Sequence, residues 1–232
     1  MTAVAAEADS VAAGLGRPEA GGTELPLPGG FVLRRHGDVD VLAAGVGPAA
    51  AAVATATALA CARDPYGLVV SAGIAGGFQP LAPLGAVVVS DAVVAADLGA
   101  QTPDGYLAVE ELGFGRSAHR VAKPLTDRIA AALPDAVVGP VLTVSTVTGT
   151  AGRAAELAAR HPGAVAEAME GFGVAEAAAA HRVPVVEIRA VSNAVGPRDR
   201  AAWRIGDALA ALRDAFQRLS RTAFVELPSC PS

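Results

Sequence analysis

Short Val-rich runs alternate with Ala-rich stretches along the whole chain, the rhythm of a largely parallel sheet covered by helices. Residues 2–5 predict a short first strand, and 9–15 the helix that follows it. Residues 31–35 and 39–44 predict two strands joined at a Gly37-Asp38 turn. Pro48 opens a predicted helix over 48–62, at the first helical position, where a missing N–H loses no hydrogen bond. Buried strands are predicted at 68–71 and 86–90, with a Gly/Pro-rich loop between them. Then come a helix at 125–133, a strand at 141–146, a helix at 153–160, a strand at 164–168, a helix at 171–181 and a strand at 185–191. Residues 201–219 close the pattern as an amphipathic helix, because Trp203, Ala208, Leu212, Ala215, Phe216 and Leu219 recur at helical spacing. Residues 97–105 and 196–200 read as polar loops, and the tail after Glu226 as frayed. Neither an internal repeat nor a linker interrupts the sequence. The expectation is one α/β domain over 1–232, with a twisted, mixed but largely parallel central sheet flanked by helices.

Composition narrows this picture. A chain of 232 residues fits one large domain. Its 52% hydrophobic content is mostly Ala and Val, with 4% aromatic residues, so the core must be built from small side chains in close contact. A net charge of −5 and a single lysine, Lys123, argue against nucleic acid or an anionic membrane as partner, since both need clustered cations. The uncharged stretches 41–62 and 65–90 are broken by Gly and Pro, so neither predicts a membrane span. Cys61 and Cys230 have no metal-like spacing. With Glu7 and Asp9 early and no basic segment before them, no secretory signal is expected, and the reading is a cytoplasmic protein.

Four segments carry candidate chemistry. Gly45-Val-Gly-Pro-Ala-Ala formally matches a dinucleotide fingerprint. Pro48 removes one of the amides that would hold a pyrophosphate, and Asp64 precedes the next strand rather than ending it. A tight turn, or a turn facing a ribose, fits better. Ser71-Ala-Gly-Ile-Ala-Gly-Gly packs glycines where backbone amides can approach a flat ligand. Ala168-Met-Glu-Gly171 sets a carboxylate at a strand end; Glu170 reads equally as a helix-start charge or as a bidentate acceptor for a sugar diol. In Arg189-Ala-Val-Ser-Asn193 a buried arginine needs a partner, for which Glu170 and Glu187 are the candidates. The four histidines, His36, His119, His161 and His181, read as surface residues without metal-ligand neighbours.

Taken in order, VGP (46–48), SAGIAGG (71–77), VVVSD (87–91), VST (144–146), AMEG (168–171) and RAVSN (189–193) resemble the nucleoside phosphorylase/nucleosidase superfamily over nearly the whole chain, and its nucleosidase branch in particular. The resemblance implies that Met169 and Glu170 hold the ribose hydroxyls and that Arg189 positions an attacking water. It also implies that Ala75, Gly76 and the Gly47 turn lie near base and sugar. Glu7 or Asp9 would activate the water, with Glu7 preferred. Neither metal nor organic cofactor is implied; a homo-oligomer, at least a dimer, is. Adenine-cleaving members end the last strand in Ser-Asp, whereas this chain has Ser192-Asn193. An amide donates to N7 or to a 6-oxo group but delivers no proton, which suits hypoxanthine. SNAVGPRD (192–199), TVTGT (146–150) and MEGFGVA (169–175) most resemble the futalosine hydrolases of the alternative menaquinone pathway, which release hypoxanthine from futalosine. The benzoate of such a substrate needs a basic group, for which Arg198 is one candidate. Nucleosidases acting on methylthioadenosine, S-adenosylhomocysteine or aminodeoxyfutalosine, and purine nucleoside phosphorylases, are the neighbouring readings.

Overall fold

A computed structural model describes residues 1–16 and 23–222, so the tail after Glu226 lies outside the described residues. The chain runs through α1 (Ala5–Gly14), β1 (Thr23–Pro26), β2 (Val32–His36), β3 (Val39–Leu42) and α2 (Pro48–Ala60). It continues through β4 (Val69–Gly77), β5 (Val87–Ala95), β6 (Gly99–Thr102), β7 (Gly105–Ala108), β8 (Ala118–Arg120) and α3 (Lys123–Ala132). Last come β9 (Val137–Thr143), α4 (Ala151–Arg160), β10 (Ala166–Ala168), α5 (Gly171–Ala180), β11 (Val185–Ala194) and α6 (Ile205–Ser220).

The central sheet is mixed, as expected, and it closes on itself. Strands β11, β4, β10, β9 and β5 follow one another in hydrogen-bonded order, and β5 pairs back to β11. The long ladders β4/β11 and β5/β9 are parallel, while short antiparallel pairings of β10 with β4 and of β11 with β5 complete the ring. Strand β5 serves three neighbours. Its first half meets β11 and its second half meets β8, along the edge opposite β9. The ring is filled by small side chains, among them Ala75, Val88, Val141, Ala166, Ala168 and Val191.

Helices α1, α3 and α6 cover one face. There Val11, Ile129, Leu212 and Phe216 bury themselves with Ala72, Ile188 and Ala190. Helices α2 and α5 lie on the other side, with Ala51, Ala54 and Ala58 in one apolar cluster with Val174 and Ala178. Their N-terminal ends touch backbone to backbone: a β-carbon at Gly173 would overlap the carbonyl oxygen of Pro48. Only glycine permits that approach.

The departures from the sequence pattern have physical causes. Residues 2–5 do not form a full strand. Thr2 N–H donates to Leu42 O (2.9 Å), Thr2 O accepts from Ala44 (2.8 Å), and Met1 O accepts from Ala72 (2.8 Å). These residues thus join the β1–β3 sheet to β4, and α1 then starts at Ala5 because Glu7 caps it from inside the first turn. Strand β9 begins at Val137, ahead of Pro140. A proline is tolerated here because β5 carries an extra residue, Asp91, opposite it, and a bulge does not need the missing N–H. The glycine-rich segment is strand through Gly77, since β10 and β11 both pair with its end. Residues 97–105, expected as a loop, hold β6 and the turn of a β6–β7 ribbon. Helix α6 starts at Ile205, because Asp199 caps a separate turn at Arg200–Ala202, and Trp203 falls outside the helix. Strands β1 and β8 are too short for their periodicity to show. Among the described residues no helix is long and apolar enough to cross a membrane.

Candidate active site

The middle of β4 and of β11, the end of β10 and the starts of α2 and α5 converge on one buried guanidinium. Arg189 in β11 is 1% exposed, amid Glu187 at 0%, Glu7 at 4% and Glu170 at 6%. Its Nε donates to Glu187 Oε1 (2.8 Å), and Nη2 to Glu170 Oε2 (3.1 Å) and Ser71 Oγ (3.2 Å). Glu187 stands two residues before Arg189, on the same face of the strand, so both of its sequence-level candidate partners are used. Glu170 is the N-cap of α5. Its second oxygen, Oε1, accepts from the backbone N–H of Gly47 at 3.3 Å. Gly47 in turn caps α2 with φ of 94°, a left-handed conformation that glycine adopts without strain. The Gly173–Pro48 contact therefore holds the two helix starts at the spacing this bond needs.

Glu7 completes the cluster. Its Oε1 accepts from Ile74 N (2.9 Å), and Oε2 accepts from Ala3 N (2.9 Å) and Val4 N (3.3 Å). Glu7 Oε1 and Arg189 Nη1 crowd the bare α-carbon of Gly73, standing 2.5 and 2.6 Å from where a β-carbon would sit. Asp9, the alternative acid, is on the outer face of α1 and pairs with Arg34 at 2.6 Å. Burial works against the Arg189 charge, but Glu187, Glu170 and Glu7 more than reverse this and hold its pKa above the ordinary value. Burial pushes the Glu187 carboxyl up, with Arg189 pulling it back. Three buried carboxylates around one cation make a negatively biased pocket. Such a pocket stabilises a positive charge that develops beside it and repels an incoming anion. Because a buried ion pair is weak evidence of stabilisation, its chemistry is the better account of it.

At the far end of β11 the ladder slips. Val191 pairs with Ala75 but Asn193 with Gly76, leaving Ser192 as an extra residue. The bulge re-aims Asn193. Ser192 Oγ donates to Asn193 Oδ1 at 2.9 Å, and Asn193 Nδ2 donates one hydrogen to Ala194 O at 3.0 Å. The second Nδ2 hydrogen has no partner among the described residues. Met169, half-buried, lies between Ala168 and Glu170, and Ala75 and Gly76 line the last pairs of β4. Arg198 is exposed, with its guanidinium 5.2 Å from the Trp203 ring. His119 is not a surface residue. Strand β8 packs near α5, so its Nε2 meets Glu176 at 2.7 Å and its ring meets Phe172.

One buried group escaped the sequence reading. Glu167 in β10 accepts from Thr148 N at 2.8 Å and from the Thr148 hydroxyl. Burial pushes its carboxyl up, while these two bonds pull it down. The available signal was a lone charge within the apolar run 164–168.

Residues 29–225 match the family model described as the phosphorylase superfamily. The futalosine hydrolase of Streptomyces coelicolor is 63% identical over 222 residues, covering 94% of this chain and 93% of that protein. The chain belongs to the futalosine hydrolase family. The futalosine hydrolase of Acidothermus cellulolyticus is 51% identical, over 94% of this chain and 88% of its own. Among solved structures, a 5′-methylthioadenosine/S-adenosylhomocysteine nucleosidase from Neisseria meningitidis, in complex with methylthio-immucillin-A, superposes with a TM-score of 0.77. It covers 95% of this chain and 96% of its own at 18% identity, a likeness of fold.

Proposed function

We propose that this protein hydrolyses the N-glycosidic bond of futalosine, releasing hypoxanthine and dehypoxanthine futalosine in menaquinone biosynthesis. The observation that carries the mechanism is the Arg189 cluster with its three buried carboxylates. As the bond from ribose to purine breaks, its electron pair leaves with the base and positive charge grows on the sugar. Glu170 faces that charge. Each of its oxygens holds one donor, Gly47 N or Arg189 Nη2, and keeps a lone pair for a ribose hydroxyl. Glu7 and Arg189 orient the water, and Glu7 takes its proton as the oxygen bonds to the sugar. The free Nδ2 hydrogen of Asn193 stabilises the departing base at N7 or O6. Met169, Ala75 and Gly76 flank base and sugar.

The same negative bias supports hydrolysis over phosphorolysis. The Gly47 amide, which would suit an incoming phosphate, is already turned to a carboxylate. Chromatography of hypoxanthine release from futalosine should give equal rates with and without phosphate. A ribose 1-phosphate product would overturn the hydrolytic reading. We also propose a cytoplasmic homo-oligomer, at least a dimer, as the resemblance to the nucleosidases implies; light scattering on the purified protein tests the assembly and cell fractionation the location.

A further inference from the structure

We infer that Glu167 reads the N1–H edge of a 6-oxopurine and, together with Asn193, selects hypoxanthine over adenine; this rests on the activity proposed above. Three strands set the arrangement. Glu167 of β10 stands opposite Gly76 of β4, and Gly76 stands opposite Asn193 of β11. Partners across a ladder share a face, so an acid and an amide flank a residue with no side chain. A β-carbon on Gly76 would lie 3.0 Å from Val195 Cγ2 and 3.3 Å from Asn193 Nδ2, so the amide and the Val195 methyl both stand against the bare glycine. Two ladder spacings separate the outer residues by roughly 10 Å, a span that a flat bicyclic base fills when hydrogen-bonded at both ends.

The polarity of the two residues is fixed. Thr148 donates to both oxygens of Glu167, leaving each a lone pair and no hydrogen to offer. Ser192 holds the Asn193 carbonyl, leaving an Nδ2 hydrogen outward. Acceptor and donor match the N1–H and the O6 or N7 acceptors of hypoxanthine. Adenine reverses this edge: its N1 is an acceptor and would face a carboxylate. A buried carboxylate that served only to fasten Thr148 would be a costly choice where an amide or apolar residue suffices.

The test is Glu167→Gln. Glutamine keeps an acceptor for Thr148 N–H and adds a donor toward the base. We would measure kcat/KM for futalosine and aminodeoxyfutalosine in both proteins. The 6-oxo over 6-amino preference should fall by about tenfold or more, the scale of one mispaired buried polar group. Equal losses on both substrates would reduce Glu167 to a fastener of its loop and overturn the inference. A second measurement needs no variant and no turnover. By calorimetry the wild type should bind hypoxanthine about tenfold or more tighter than 1-methylhypoxanthine; equal affinities overturn the inference even if the variant fails to fold. Absence of futalosine cleavage by the wild type, with that difference in binding intact, would refute the proposed function alone.

Discussion

Replacing Glu170 with glutamine exchanges one carboxylate oxygen for an amide and leaves the side-chain shape almost unchanged. Two donors, Arg189 Nη2 at 3.1 Å and Gly47 N at 3.3 Å, now point at its two oxygens. Glutamine accepts from one and turns an NH₂ on the other, so one buried donor loses its partner and stability falls by about 1–3 kcal/mol. The effect on rate should be larger. A carboxylate about 4 Å from a ribosyl cation, at an effective dielectric of about 20, interacts by about 4 kcal/mol. Removing one oxyanion-hole donor costs about 3–4 kcal/mol. At about 1.4 kcal/mol per tenfold, kcat/KM for futalosine should drop about 140- to 700-fold. Hypoxanthine release at substrate concentrations well below KM, followed by chromatography, reads this directly, and a melting curve confirms the fold. If the folded variant keeps kcat/KM within about threefold of wild type, Glu170 is a helix cap and the sugar lies elsewhere.

Asn193→Asp should lower kcat/KM on futalosine and narrow or reverse its preference over aminodeoxyfutalosine, because a protonated carboxyl donates to N7 while accepting from a 6-amino group; an unchanged ratio would remove Asn193 from base recognition. Gly173→Ala drives a methyl into the Pro48 carbonyl and should lower stability by about 1–3 kcal/mol through overpacking. Its kcat/KM should fall as well, since the Gly47 amide is drawn off Glu170; a melting temperature equal to wild type would refute the close contact.

Much of this was readable before the fold was seen. Pro48 marked the start of α2, and Glu170 and Arg189 announced themselves as charges at the ends of apolar strands. Buried arginine demands partners, which identified Glu187 and Glu170 by chemistry alone. Glu7 was preferred over Asp9 through the resemblance and not from the local pattern, because the difference is a face of α1: one turns inward to Ile74 and the other outward to Arg34. The ring closure was invisible, since which strand edge meets which is a long-range fact that no local period encodes. The start of β9 at Val137 could not be read, because the residue that compensates for Pro140, Asp91, lies on another strand. Arg198 was one candidate for the substrate carboxylate; its contact with the Trp203 ring is a long-range fact that the sequence does not show. Glu167 was missed because a single charge in a three-residue strand gives no pattern to count.

The slip at Ser192 divides the labour along a single strand. Up to Val191, β11 is locked to β4 within a closed ring, where a change of register would have to be matched by every neighbour. Beyond it, Asn193 follows a different alignment, held by Ser192 Oγ and the Ala194 carbonyl. On the proposed assignment, the groups that break the sugar bond lie before the slip, whereas Asn193, which meets the leaving base, lies after it. A family built this way would exchange one purine for another by altering Asn193 and Glu167, and keep its hydrolytic apparatus untouched.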